Sequence, residues 1–119
     1  MYVQEFKSNE DIAIAYSYWS DGESATQILK QLNESRVYLA WYGAGDYCGC
    51  SFVLFSHNGQ LYEVNASHCS CYGLEGQWDP EPTCWKSLAQ RDYFHAEYYG
   101  HQSVNDYLRR LCDENIKTA

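Results

Sequence analysis

The chain lacks basic residues through its middle: no lysine or arginine occurs between Val37 and Trp85. Proteins that bind nucleic acid directly hold its phosphates with a stripe of such residues, so this gap argues against direct nucleic-acid binding. The sequence also has no apolar run of the roughly 18 residues that a membrane-spanning helix needs. The beginning of the chain is charged and lacks the basic-then-apolar order of a secretory signal peptide. We therefore expect a cytoplasmic protein that does not span a membrane.

The sequence is acidic overall. It holds 16 acidic and 8 basic residues, which gives a formal net charge of −8 at pH 7. Five acidic side chains fall inside the stretch without lysine or arginine: Asp46, Glu63, Glu75, Asp79 and Glu81. Such a charge balance is typical of a surface tuned for solubility, or of an acidic face that meets a basic partner. Charge alone leaves both interpretations open.

Length and apolar content predict one domain with a packed core. The 119 residues are 45% apolar and 17% aromatic, a composition that excludes a disordered chain. A chain of this size forms one domain, so we expect residues 1–119 to fold as a unit. Apolar periodicity and turn residues predict an α+β fold, in which a small antiparallel sheet of about three or more strands packs against two to four helices.

Helices and strands are predicted from capping residues and apolar spacing. The predicted helices are 9–19, 24–33, 83–90 and a C-terminal helix capped by Ser103, and the predicted strands are 36–42, 51–56 and 61–64. The C-terminal helix has an apolar stripe made of Val104, Tyr107, Leu108, Leu111 and Cys112. Apolar residues of 9–19 also alternate, so a strand is possible there. Residues 52–55 are apolar on both faces of their strand, which predicts a central position in the sheet. Residues 66–82 lack a regular pattern, and an irregular segment of that length in a compact domain is commonly functional.

Asn58-Gly59 is the strongest hairpin signal, because both residues accept the positive φ that a tight type I′ turn requires. A two-residue turn sets the register of the strands on either side of it. Extending that register places Cys50 opposite Ser67 and Cys48 opposite Cys69. The second pair then falls at a non-hydrogen-bonded position, where opposing side chains are closest.

The chain has six cysteines, and without a signal peptide we expect them to be reduced. On the predicted hairpin, four thiols would lie on one side of the sheet and could bind zinc: Cys48, Cys50, Cys69 and Cys71. Structural zinc sites usually take cysteines two to four residues apart, and a C-x-C pair on a flat strand keeps its sulfurs too far apart unless the strand bends. A zinc site is thus one interpretation, and a set of partly buried thiols is the other.

A cysteine nucleophile is a further possibility. Cys69 or Cys71 would need His95 or His101 within hydrogen-bond reach and a third group to orient that histidine. His68 is next to Cys69 in sequence and points to the opposite face of an extended strand. Since any chain with six cysteines and four histidines offers such combinations, the spacing does not single out cysteine catalysis.

The irregular segment combines acidic with aromatic residues. Tyrosine and tryptophan offer a large contact area with few rotamers to freeze, which favours them as interface anchors. Without a coherent catalytic set, this mixture favours protein binding over chemistry. The predicted partner-binding residues are Tyr72, Glu75, Trp78, Asp79 and Glu81, with Asp46 and Glu63 adding charge. The alternative is a structural loop in which glycines turn the chain while Leu74 and Trp78 fill the core.

Residues 68–78 read HCSCYGLEGQW and are followed by Pro80-Glu81. The span from about Tyr38 to Pro82, and above all this motif, resembles a group of small uncharacterised bacteriophage proteins; Cys48 and Cys50 lie outside the motif. Small acidic phage proteins often bind and inhibit host factors, including nucleases of defence systems, by presenting a surface like that of nucleic acid. The resemblance therefore implies an accessory protein that binds a host protein with a basic surface, such as an anti-CRISPR inhibitor. The alternative is a small zinc- or thiol-centred protein built on Cys69 and Cys71.

Overall fold

The computed structural model describes residues 1–17, 22–44, 48–69, 73–90 and 102–117. These ranges contain five strands and four helices, in the order β1 (Tyr2–Gln4), α1 (Asn9–Tyr16), α2 (Gly22–Asn33), β2 (Arg36–Ala44), β3 (Gly49–His57), β4 (Gln60–His68), β5 (Glu81–Thr83), α3 (Trp85–Ala89) and α4 (Gln102–Lys117). The strands form one sheet in the order β1-β2-β3-β4-β5. The α+β prediction is confirmed. The sheet is mixed, because β1 runs parallel to β2 while the other pairs are antiparallel.

The strand β3 is central, as its apolar sequence predicts. Residues 51–55 are all buried. Since side chains alternate along a strand, Val53 and Phe55 face one side of the sheet and Phe52 and Leu54 face the other. The first side packs against α1 and α2, and the second packs against α3 and α4. Helices therefore cover both faces of the sheet.

The hairpin between β3 and β4 has the predicted turn and register. Asn58 and Gly59 have φ angles of 51° and 81°, as a type I′ turn requires. Cys50 lies opposite Ser67, and the last pair is Gly49 with His68. Because β4 continues to His68, the irregular segment begins later than the sequence predicts. The next position of the register, just beyond the paired strands, belongs to Cys48 and Cys69.

The helices follow their predicted positions with shifted ends. The segment at 9–19 is a helix rather than a strand over Asn9–Tyr16, where the Ser8 hydroxyl accepts a hydrogen bond from the Asp11 N–H at 3.3 Å. The short helix predicted at 83–90 spans Trp85–Ala89, since the residues before it form β5. The helix α4 buries three residues of its predicted stripe, Val104, Leu108 and Cys112, while Tyr107 and Leu111 are partly buried. Among the described helices, none combines the length and the apolar character needed to cross a bilayer.

Candidate functional site

Residues 73–78 of the motif (the motif loop) pack on the face of the sheet that carries α1 and α2. Leu74 is 1% exposed and belongs to the core between that face and the helices. Gly76 has a φ of 78°, a conformation that favours glycine, and its N–H donates to the Tyr16 carbonyl at 3.1 Å. The motif loop is therefore part of the layer that covers the sheet.

Trp78 closes this layer. Its ring stacks on Phe55 with centroids 5.9 Å apart, and meets the Tyr16 ring edge-on at 5.1 Å. Its indole N–H donates to the Gln31 side-chain oxygen at 2.9 Å. Trp78 is half-buried, so part of its surface remains available to a partner. The core-filling role that the structural interpretation assigns to Leu74 and Trp78 is thus present in the fold.

The polar side chains of the motif loop fold back onto the loop. The Glu75 carboxylate accepts the Gly73 N–H at 3.1 Å. This bond, followed by one from the backbone N–H of Glu75 itself, lowers the pKa of the Glu75 carboxyl below its ordinary value of 4.5. Gln77 donates to the Gly73 carbonyl at 3.0 Å and accepts from the Ser67 N–H at 3.2 Å. These hydrogen bonds stabilise the conformation of the loop and connect it to the end of β4.

A groove of about 480 Å³ lies between α2 and the motif loop. Its lining combines aromatic, amide and hydroxyl side chains with backbone: Tyr16, Ser24, Gln27, Ile28, Gln31, Gly76 and Trp78. The sequence does not reveal this groove, because its residues come from two helices and a loop that only packing brings together. Its position beside Trp78 puts an open recess next to the predicted partner-binding residues.

Tyr42 and His68 form a hydrogen-bonded pair across the central strand. The Tyr42 hydroxyl lies 2.6 Å from His68 Nε2, and His68 Nδ1 lies 3.2 Å from the Cys69 carbonyl. A carbonyl only accepts, so Nδ1 carries a proton, and in the neutral ring Nε2 then accepts from the tyrosine. A Cβ atom at position 49 would overlap the imidazole, so Gly49 is what allows the ring to cross β3.

The environment of Tyr42 favours the protonated hydroxyl, which can donate a hydrogen bond. Burial, and then the negative charges of Glu5 and Glu75, raise the pKa of Tyr42 above its ordinary value of 10. The pair therefore fastens the end of β4 to β2. Sequence reasoning missed it, because Tyr42 and His68 belong to strands that are not neighbours in the sheet.

The thiols predicted as zinc ligands do not converge among the described residues. Cys48 and Cys69 are exposed, whereas Cys50 is half-buried against the core beneath α3 and α4. Over the described ranges, no three histidine, cysteine, aspartate or glutamate side chains gather as a metal site would require. Cys71 lies outside the described residues, as do His95 and His101.

The predicted acidic surface is only partly realised. Asp79 and Glu81 are exposed, in and just before β5. Glu63 is 3% exposed, so the prediction that it adds surface charge is wrong. The alternation of β4 directs Glu63, like Leu61, toward the face covered by α3 and α4, where its carboxylate accepts from the Asn65 amide at 2.8 Å. Tyr72 and Asp46 lie outside the described residues.

Comparison of the chain with protein-family models, curated proteins and solved structures found no match. What the site can bind follows from its geometry and charge. The structure keeps Glu75, Trp78, Asp79 and Glu81 on one continuous segment that runs from the motif loop into β5. On that segment Asp79 and Glu81 are exposed and Trp78 is half-buried. Because Glu81 pairs with Glu63, its side chain is directed toward the sheet face that carries α3 and α4, whereas Trp78 packs on the other face.

Truncation of Trp78 should destabilise the protein. Trp78→Ala removes both ring contacts, and we expect the free energy of unfolding to fall by about 3 kcal/mol or more. Trp78→Phe keeps an aromatic ring against Phe55 and loses the hydrogen bond to Gln31, so a loss nearer 1 kcal/mol is expected from that bond. Urea denaturation followed by circular dichroism measures both. A loss of about 1 kcal/mol or less for Trp78→Ala would show that the ring contacts do not support the core.

Glu75 should make stability depend on pH. Because its folded-state pKa is lowered, the carboxylate stabilises the fold fully above its unfolded value, and this contribution disappears as pH falls through the folded value. Glu75→Gln should therefore be less stable than the wild type at neutral pH and lose less stability as the solution is taken to about pH 3. Urea denaturation over a pH series tests this. Parallel pH profiles for the two proteins would contradict it.

Mild oxidation should link Cys48 to Cys69. A diazene oxidant such as diamide takes two electrons and two protons from the thiols as the disulfide forms, and the cross-strand position brings the Cβ atoms close to the required spacing. Cys112 should stay unmodified, because it is 2% exposed and burial raises the pKa of its thiol. Peptide mapping decides the pairing. Modification of Cys112 first, or a link from Cys48 to Cys84, would show that the strands do not continue in register to these cysteines.

Proposed function

We propose that this protein acts by binding a partner protein with a basic surface, rather than by catalysis. The observation that carries the proposal is the exposure of Asp79 and Glu81 directly after Trp78, in a chain of net charge −8. The sequence has no lysine or arginine between Val37 and Trp85, and the first basic residue after these carboxylates is Lys86 of α3. Such a surface attracts a basic partner over long range and fixes its orientation on contact.

The polar groups of the site support binding over chemistry. Glu75 and Gln77 are hydrogen-bonded to the backbone of their own loop and of β4. Tyr42 and His68 are bonded to each other. These side chains hold the surface in shape, and a rigid surface loses little entropy when a partner binds. The half-buried Trp78 adds an aromatic contact of the kind that anchors interfaces.

The finer role that we propose is that of a phage accessory protein. It would bind and inhibit a host protein in the host cytoplasm, as an anti-CRISPR inhibitor does. Support comes from the resemblance of the motif at residues 68–78 to small phage proteins, together with the small size and acidity of the chain. A partner that normally binds nucleic acid has the basic surface that this role requires.

Retention of bacterial host proteins on the immobilised chain tests the proposal. The wild type should retain a partner, with retention falling as salt rises from low to physiological ionic strength, about 0.15 M. The double variant Asp79→Asn, Glu81→Gln should retain several-fold less. The matched control, Asp106→Asn with Asp113→Asn, removes the same charge from exposed positions on α4 and should bind as the wild type does.

Three results would count against the proposal. Recovery of no partner would remove its basis, and retention indifferent to salt would show that the carboxylates do not attract the partner. An equal loss in the double variant and its control would show that net charge matters and the surface after Trp78 does not. Circular dichroism of each variant establishes that the compared proteins are folded.

A further inference from the structure

The helix α1 exposes a large apolar side chain. After its acidic first turn, the helix continues with five residues that have no charged group, Ile12 to Tyr16. Ile12, Ala13 and Tyr16 are buried, whereas Ile14 is 67% exposed, well above the other exposed large apolar residues Met1 and Tyr2. A surface helix ordinarily turns polar side chains outward. The exposure of Ile14 is therefore a property of the surface that core packing does not explain.

Ile14 borders a groove between α1 and α2 that has a volume of about 160 Å³. The groove is lined by Glu10, Ala13, Ile14, Ala25, Thr26 and Leu29. The two alanines are small and leave the space open, while Ile14 and Leu29 supply aliphatic walls. An apolar cavity of about 150 Å³ holds a benzene ring, so a groove of this size admits one large apolar side chain.

Charge around the groove selects the kind of partner. The helix α1 carries Glu10 and Asp11 in its first turn and no basic residue, and Lys30 lies in the last turn of α2. Glu10 stands in the lining itself, beside the apolar walls. Two copies of the chain meeting at this face would bring like charges together, which disfavours self-association. A positively charged segment would be attracted to the same face.

We infer that the groove between α1 and α2 is the docking site for a basic amphipathic segment of the partner protein. An apolar side chain of that segment seats between Ile14 and Leu29, while a flanking lysine or arginine faces Glu10. A helix that lays its apolar face into such a groove is a common recognition mode. This inference rests on the proposed function, and it names a contact surface separate from Asp79 and Glu81.

Two synthetic helical peptides serve as probes of the full chain. Both carry leucines at the same spacing, and they differ only in flanking residues, lysine in one and glutamate in the other. We expect the lysine peptide alone to bind and to shift the methyl resonances of Ile14 and Leu29 in NMR spectra. Affinity is measured by fluorescence anisotropy over a salt series, and it should fall as ionic strength rises.

Variants of the groove make the test specific. Ile14→Asp should weaken binding of the lysine peptide at least tenfold although it adds a negative charge, because it removes an apolar wall. Ala25→Leu, which fills the groove without changing charge, should weaken binding similarly, and Glu10→Gln should weaken it several-fold. The matched control Ala89→Asp adds the same charge at an exposed position on α3 and should bind as the wild type does. Thermal melting verifies that each variant is folded.

The outcomes separate this inference from the proposed function. If Ile14→Asp binds the lysine peptide as well as the wild type does, or the glutamate peptide binds equally, the groove is not the docking site. If Ile14→Asp also retains the host partner through Asp79 and Glu81, the proposed function stands and only the groove inference falls. A dimer in sedimentation experiments that Ile14→Asp dissociates would assign the groove to a second copy and overturn the inference.

Discussion

Burial of β3 on both of its faces is the constraint on which the rest of the structure depends. Val53, Leu54 and Phe55 are consecutive and have no exposed surface. Full burial of each such side chain stabilises a fold by about 1.5–3 kcal/mol, and adjacent residues of a strand point to opposite sides. The chain must therefore cover both faces of the sheet. It does so with α1, α2 and the motif loop on one side and with α3 and α4 on the other.

The motif loop completes a cover that the two helices leave open. Leu74 enters the core and Trp78 stacks over Phe55, while Gly76 makes the turn that lets both residues reach inward. The polar members of the motif then close the loop by bonding to its backbone. Glu75 and Gln77, the polar side chains of the motif loop, therefore stabilise the loop itself. Binding of a partner then depends on the exposed groups around them.

Two kinds of surface are exposed, the carboxylates of Asp79 and Glu81 and the apolar groove between α1 and α2, and they act over different distances. The carboxylates act at a distance and are weakened by salt, whereas an apolar groove acts only on contact and selects shape. Trp78 joins the motif loop to α2 through Gln31, and Tyr16 joins it to α1. The motif loop, α1 and α2 therefore form one connected layer, whereas Glu81 pairs with Glu63 of β4. A partner with an apolar side chain among basic residues would match the groove and the carboxylates.

The sequence by itself determined the features that depend on neighbouring residues. Asn58-Gly59 dictated the turn, because few other residues accept its φ angles, and the two-residue turn then set which residues of β3 and β4 face each other. The sequence also predicted the apolar stripe of α4 and the run of residues in β3 that are apolar on both faces of the strand. Local geometry carries this information, so no knowledge of packing was needed.

Only the tertiary structure decided what lies between elements that are distant in the chain. The parallel pairing of β1 with β2 joins residues such as Tyr2 and Ala40, for which no turn sets the register. The burial of Glu63 depended on helices covering the second face, and the bond from Tyr42 to His68 depended on Gly49 between them. The groove beside Ile14 exists only where two helices meet. In each case the deciding contact joins residues that are distant in the sequence, and a local sequence pattern does not predict such contacts.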